Sequence, residues 1–183
     1  DDTNWIPAGR VSIPSGTLRA QMMPGMKVTE SLKPVSIRKQ GDKHILDIGQ
    51  NMAGWLRIRI KGQAGDSIRL RFAERLQADG EIFTKNLRDA HCTDIYVVSG
   101  REPQDATWAP RFVYHGFRYV EISGYPNAKT EDFTAEVVDD EMAHTGTFTC
   151  SDETLNKVLH NAFWGIRSNY KGMPVDCPQR NER

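Results

Sequence analysis

Between positions 43 and 138 the apolar side chains recur at every second position, and this period limits the fold more than any other property of the chain. Leu56, Ile58 and Ile60 alternate with Arg57, Arg59 and Lys61, and Ile68, Leu70 and Phe72 alternate with Arg69 and Arg71. Successive side chains of an extended strand point to opposite faces, so each run has one apolar face and one cationic face. The run at 45–48 opens the series, and runs at 95–98, 117–122 and 133–138 continue it. Gly62-Gln-Ala-Gly-Asp66 supplies the glycines of a short connection, and Asp79-Gly80 marks a second hairpin or loop. Many short alternating strands divided by turn signals specify a mainly β chain, an antiparallel β-sandwich.

Two flanks depart from this period. Residues 1–40 hold prolines at 7, 14, 24 and 34, with methionines at 22, 23 and 26 between them. Frequent prolines forbid long helices, which predicts a looping segment packed on the sandwich, with short strands at 27–30 and 35–38 and the methionines as core filling. The sandwich itself is expected over 41–145, and a third unit over 146–183. There Ser151 is a good N-cap, Asp152 and Glu153 suit the positive end of a helix dipole, and Leu155, Val158, Leu159, Ala162, Phe163 and Ile166 follow helical spacing. One amphipathic helix over 152–170 results, ended by Gly172 ahead of Pro174. Its apolar stripe and Trp164 require a partner surface: the sandwich, a second chain or further helices.

The balance of 24 basic against 24 acidic residues argues against a nucleic-acid or anionic-membrane partner. No run approaches the roughly 18 apolar residues of a membrane span, and Asp1-Asp2-Thr3-Asn4 has no basic or apolar region of a signal peptide. Cys92, Cys150 and Cys177 are odd in number and widely spaced, which predicts neither disulfides nor a metal site, and no cofactor is expected. Cys177 reads as a buried thiol rather than a nucleophile, since no histidine lies within ten residues of it. The arginines of the cationic face read as a solvated sheet surface that Glu74, Glu81 and Glu121 can neutralise. Trp55, Trp108, Tyr114, Phe117, Tyr119 and Tyr125 fall in or beside strands, where rings are usually core, while exposed rings there would offer stacking faces for a pyranose.

The last eleven residues, Met173-Pro-Val-Asp-Cys-Pro-Gln-Arg-Asn-Glu-Arg183, concentrate carboxylates, guanidinium groups and carboxamides. The prolines at 174 and 178 oppose both helix and central strand, so the segment is read as a rigid loop. A solvated, salt-bridged tail is the plainer reading of such a composition. The sharper one uses Asp176 and Glu182 as a pair, one carboxyl donating a proton and the other accepting hydrogen bonds from a hydroxyl-rich ligand.

Asp176-Cys-Pro-Gln-Arg-Asn-Glu-Arg183 resembles the Asp-Cys-Pro-Gln-Arg-Asp-Glu-Arg signature of bacterial α-L-rhamnosidases of glycoside hydrolase family 78, with Asn181 as the one departure. Asp47-Ile-Gly-Gln-Asn-Met-Ala-Gly-Trp55, Ala73-Glu-Arg-Leu76, Thr93-Asp-Ile-Tyr96 and Tyr114-His-Gly-Phe-Arg-Tyr-Val120 are similar to the β-sandwich that precedes the catalytic barrel in that family. The resemblance implies a jelly-roll or concanavalin-like sandwich followed by the start of a six-hairpin α/α barrel. It further implies an inverting glycosidase that releases terminal α-L-rhamnose, with Glu182 as general acid and Asp176 as a ligand of rhamnose hydroxyls. The general base would lie later in the barrel, so residues 1–183 alone are expected to be inactive. The alternative is a non-catalytic carbohydrate-binding or structural β-sandwich module, working through Trp55, Trp108 or Tyr114.

Overall fold

The computed structural model describes residues 3–180. Its first eight strands are β1 (Met26–Leu32), β2 (Ser36–Gln40), β3 (Lys43–Arg59), β4 (Ser67–Ala73), β5 (Thr93–Val97), β6 (Thr107–Trp108), β7 (His115–Ser123) and β8 (Phe133–Asp140). They form one antiparallel sheet in the order β1-β8-β3-β7-β4-β5, with β2 and β6 paired to opposite ends of β3.

β3 explains how a single sheet encloses a core. The run at 45–48 and the run that begins at 56, separate in the sequence pattern, belong to one strand of 17 residues that ends at Arg59. Its pairing with β7 slips between Asp47 and Met52, where Gly49 takes a φ of 84° that favours glycine. Asp47 secures this bulge by accepting the Gly49 amide at 2.7 Å and the Arg118 guanidinium at 2.9 and 3.0 Å. Burial alone would raise the Asp47 pKa, but these hydrogen bonds outweigh it and hold the carboxyl below its ordinary value. A bulge bends its strand: β3 pairs with β2 and β7 before it, with β7 again over Met52–Gly54, and with β8 from Gly54 to Ile58. The sheet curls, and Ile68, Leu70 and Phe72 of β4 reach the same core as Phe133, Ala135 and Val137 of β8. Burying each large side chain contributes about 1.5–3 kcal/mol. The connection over 62–66 is short, yet it carries the chain past β7, which lies between β3 and β4.

The other face is cationic and neutralised, as its alternation implies. Arg57 forms a two-point pair with Glu136 at 2.7 and 3.0 Å, Arg71 and Lys43 share Glu121 at 2.9 and 3.3 Å, and Arg59 meets Asp105 at 2.9 Å. Glu74 and Glu81 instead accept from Asn51 and Gln40. In the proline-rich segment β1 and β2 join the sheet, whereas residues 5–22 form no strand or helix and are exposed. Met22, Met23 and Met26 lie on the surface rather than filling the core, which the sheet strands already fill.

The helix α1 (Glu153–Asn169) is capped by Asp152 and not by Ser151: the Asp152 carboxylate accepts the Thr154 and Leu155 amides at 2.8 and 3.3 Å. A carboxylate both satisfies those donors and complements the dipole. α1 lies against β3 and β8, and Trp164 packs on the sandwich core. Leu155, Val158, Leu159 and Ile166 remain exposed. The sandwich therefore receives the side of the helix that carries Trp164 and Arg167, and most of the apolar stripe is left outside.

Candidate functional site

The terminal segment owes its position to a polar socket at the edge of the sandwich. Arg167, near the end of α1, donates to Asp139 at 2.8 Å, to Glu30 at 2.7 Å and to Thr29 at 3.0 Å. One turn later Lys171 donates to the carbonyls of Val138 and Arg167, and the Gly172 amide donates to Asp140 at 2.6 Å. Burial pushes the Lys171 amine down to about 8, against the pull of Asp139 and Asp140. Gly172, with φ 79°, reverses the chain, so that β9 (Tyr170–Lys171) pairs with β10 (Met173–Pro174). Asp139 and Asp140, at the end of β8, thus hold the socket for the segment that follows the helix.

Beyond β10 the Val175 amide bonds the Asn169 carbonyl at 2.8 Å, and the chain then crosses the start of β7. The crossing is close: a side-chain carbon on Gly116 would stand 2.9 Å from the Gln179 amide nitrogen, so only glycine admits the loop there. Cys92 donates its thiol to the Gln179 carbonyl at 2.9 Å. Under the loop is a cavity of about 420 Å³ lined by His91, Cys92, Tyr114, His115, Cys177 and Arg180, among others. Behind it His115 Nε2 meets Asp94 Oδ1 at 2.9 Å, both residues buried, with the Phe72 ring stacked on the imidazole at 4.3 Å.

Asp176 is exposed on this loop and accepts the Cys177 thiol at 3.2 Å. Glu182, with Asn181 and Arg183, lies outside the described residues. Burial, together with neighbouring carboxylates, raises the pKa of both Cys92 and Cys177. Raised thiols are poor nucleophiles, which agrees with reading Cys177 as inert even though His91 and His115, distant in sequence, line the same cavity. Among the described residues no three His, Cys, Asp or Glu side chains are placed to hold a metal ion. The Asp94–His115 pair, Gly116 and the Arg167–Lys171 socket are absent from the sequence reading. They are long-range contacts: Asp94, His115 and Gly116 fall inside strings that carry the resemblance, but no local pattern says that they meet each other or the loop.

The sandwich and the loop each match known proteins. Residues 37–139 match the family described as bacterial alpha-L-rhamnosidase concanavalin-like domain, which covers more than half of the chain. The chain belongs to the bacterial α-L-rhamnosidases. Residues 143–183 match the bacterial alpha-L-rhamnosidase 6 hairpin glycosidase domain. An alpha-L-rhamnosidase of Streptomyces avermitilis is 41% identical over 98% of this chain, which covers 17% of that protein. The structure of the α-L-rhamnosidase from Dictyoglumus thermophilum superposes with a TM-score of 0.91 at 38% identity, over 100% of this chain and 21% of that one. The Streptomyces avermitilis α-L-rhamnosidase complexed with L-rhamnose superposes with a TM-score of 0.85 at 39% identity, over 89% of this chain and 16% of that one. The chain thus spans about a fifth of the length of these rhamnosidases. The family match and the observed sheet agree with the concanavalin-like sandwich expected from the sequence.

Proposed function

We propose that this chain supplies the sandwich, the first helix and the motif loop of an inverting α-L-rhamnosidase that releases terminal α-L-rhamnose from glycans or glycosides. In this reading residues 41–145 are the sandwich domain, preceded by the proline-rich segment over 1–40, and residues 146–183 open the six-hairpin barrel. Glu182 protonates the glycosidic oxygen, and Asp176 holds rhamnose hydroxyls. The observation that carries the reading is the string at 176–183, which falls inside the stretch matched by the glycosidase domain. The relative complexed with L-rhamnose supports the choice of sugar.

Inversion requires a second carboxylate about 6.5–9.5 Å from the acid to activate water across the ring. Asp176 is assigned to the sugar, so the base is assigned to the later barrel, beyond residues 1–183. The isolated chain then binds no complete transition state and does not turn over. The exposed stripe of Leu155, Val158, Leu159 and Ile166 is the surface on which the remaining hairpins pack. Their closure also supplies the apolar surroundings that keep a carboxylic acid protonated near neutral pH.

The test is hydrolysis of an aryl α-L-rhamnoside by the 183-residue chain and by a protein extended through the whole barrel. Turnover by the longer protein alone, with β-L-rhamnose as the first product in the proton NMR spectrum, is expected. Turnover by the shorter chain would move the base to Asp176. First release of the α-anomer would overturn inversion, and turnover by neither would overturn the activity.

A further inference from the structure

We infer that an aromatic groove beside the motif loop is a second saccharide site, which takes the sugar unit attached to rhamnose on the leaving-group side. The inference rests on the rhamnosidase reading of the loop. The groove encloses about 1230 Å³, larger than most small-molecule sites, and its walls include Trp55, Arg57, Trp108, Phe112, Val113 and Tyr114.

Three observations point to a carbohydrate. The first is a rigid platform: the Trp55 indole donates to Glu136 at 2.5 Å, Arg57 grips both oxygens of the same buried carboxylate, and Trp108 leans on Tyr96 with ring centroids 5.3 Å apart. Rings already fixed lose little freedom when a ligand stacks on them. The C–H faces of a pyranose suit such rings. Arg57 uses Nε and Nη2 in its pair, which leaves Nη1 outside it as a donor for hydroxyls.

The second observation is strain. Phe112 has φ 61° and a fully exposed ring, 104% accessible. A bulky residue seldom adopts that conformation, and such strain gathers at ligand clamps. The third is continuity. Val113 and Tyr114 line both this groove and the cavity under residues 177–180. A glycoside whose rhamnose reaches the motif loop therefore extends its next ring past Tyr114 and on to Phe112.

The test uses the full-length protein and two substrates, methyl α-L-rhamnoside, which has no second ring, and the rhamnosyl-glucose disaccharide rutinose. Phe112→Ala is expected to raise KM for rutinose about tenfold with kcat unchanged, while kinetics on the methyl glycoside move by less than about twofold and Phe112→Tyr restores the disaccharide KM. Equal changes on both substrates, or a lowered melting temperature with no change in KM ratio, would overturn the site and mark the groove as a packing surface within the longer protein. Rutinose titration of the Glu182→Gln protein, followed by tryptophan fluorescence, needs no turnover. Saturable, Phe112-dependent quenching without hydrolysis by the unaltered protein would sink the enzymatic proposal and leave the site standing. Absence of saturable quenching would sink the site.

Discussion

The sandwich and the helix with its loop are held in place by different means. The sandwich is organised by apolar burial: Leu46, Leu56, Ile58, Phe72, Phe117 and Ile122 have essentially no solvent access, and strands far apart in the sheet order share one core. α1 has no fully buried residue, and apart from Trp164 its attachment is polar: Arg167 on buried Asp139, Lys171 on the Val138 carbonyl and the Gly172 amide on buried Asp140. A non-directional core gives stability and a set of hydrogen bonds gives orientation. The string at 176–183 follows the element that is oriented more than it is buried. In such an arrangement the sandwich acts as a fixed platform from which the loop is aimed.

Breaking the core should have the largest effect. Phe117→Ala is expected to cost about 3–5 kcal/mol of unfolding free energy in a urea titration, since the ring is fully buried and meets Phe72 edge-on at 4.8 Å. Arg167→Met should come next, at about 3 kcal/mol, because it leaves the buried Asp139 without its cation. Its signature would be a shifted Trp164 emission with the β signal of circular dichroism unchanged, and loss of both together would contradict the division drawn here.

Gly116→Ala tests the loop alone. The added carbon meets backbone, so a cost of about 1–3 kcal/mol is expected, together with faster alkylation of Cys92 as Gln179 lifts away. Lys171 sharpens the polar side of the comparison through pH. Its folded pKa of about 8 lies below the ordinary 10.5, so between those values the unfolded chain binds the extra proton and stability rises with pH. The penalty for burying the charged amine is in full force below about pH 8 and fades toward 10.5. Thermal unfolding from pH 8 to 10 should show this rise relative to Lys171→Met; parallel curves for the two proteins would count against a buried amine. The smallest effect is expected for Leu159→Ala on the exposed stripe, within about 0.5 kcal/mol in the 183-residue chain.

The strands were legible because alternation is a local property: Leu56, Ile58 and Ile60 announce their face without reference to any partner. Their order was not, because β7 enters between β3 and β4 by pairings between residues far apart in the chain, such as His44 with Ile122 and Ala73 with Tyr119. Nor was the unity of β3, whose alternation is broken at Gly49 by the bulge that bends it. The helix was read within a residue at each end, but its docking face was not. Trp164, Arg167 and Lys171 outweigh a more continuous apolar stripe because the sandwich core, buried Asp139 and the Val138 carbonyl receive them in turn. At the site, the string at 176–183 named Asp176 and Glu182 through resemblance. The cavity beneath it could not be read from sequence, since Asp94 and His115 meet only once the sheet is assembled.

The most direct test of Glu182 as general acid is the leaving-group dependence of a Glu182→Gln variant of the full-length enzyme. Without its acid the enzyme should lose about 10²–10⁴-fold in kcat on an alkyl or sugar rhamnoside. It should retain most of its rate on a dinitrophenyl rhamnoside, whose leaving group departs without a proton. Equal losses on both substrates, or no loss on either, would contradict the assignment of Glu182 as the proton donor.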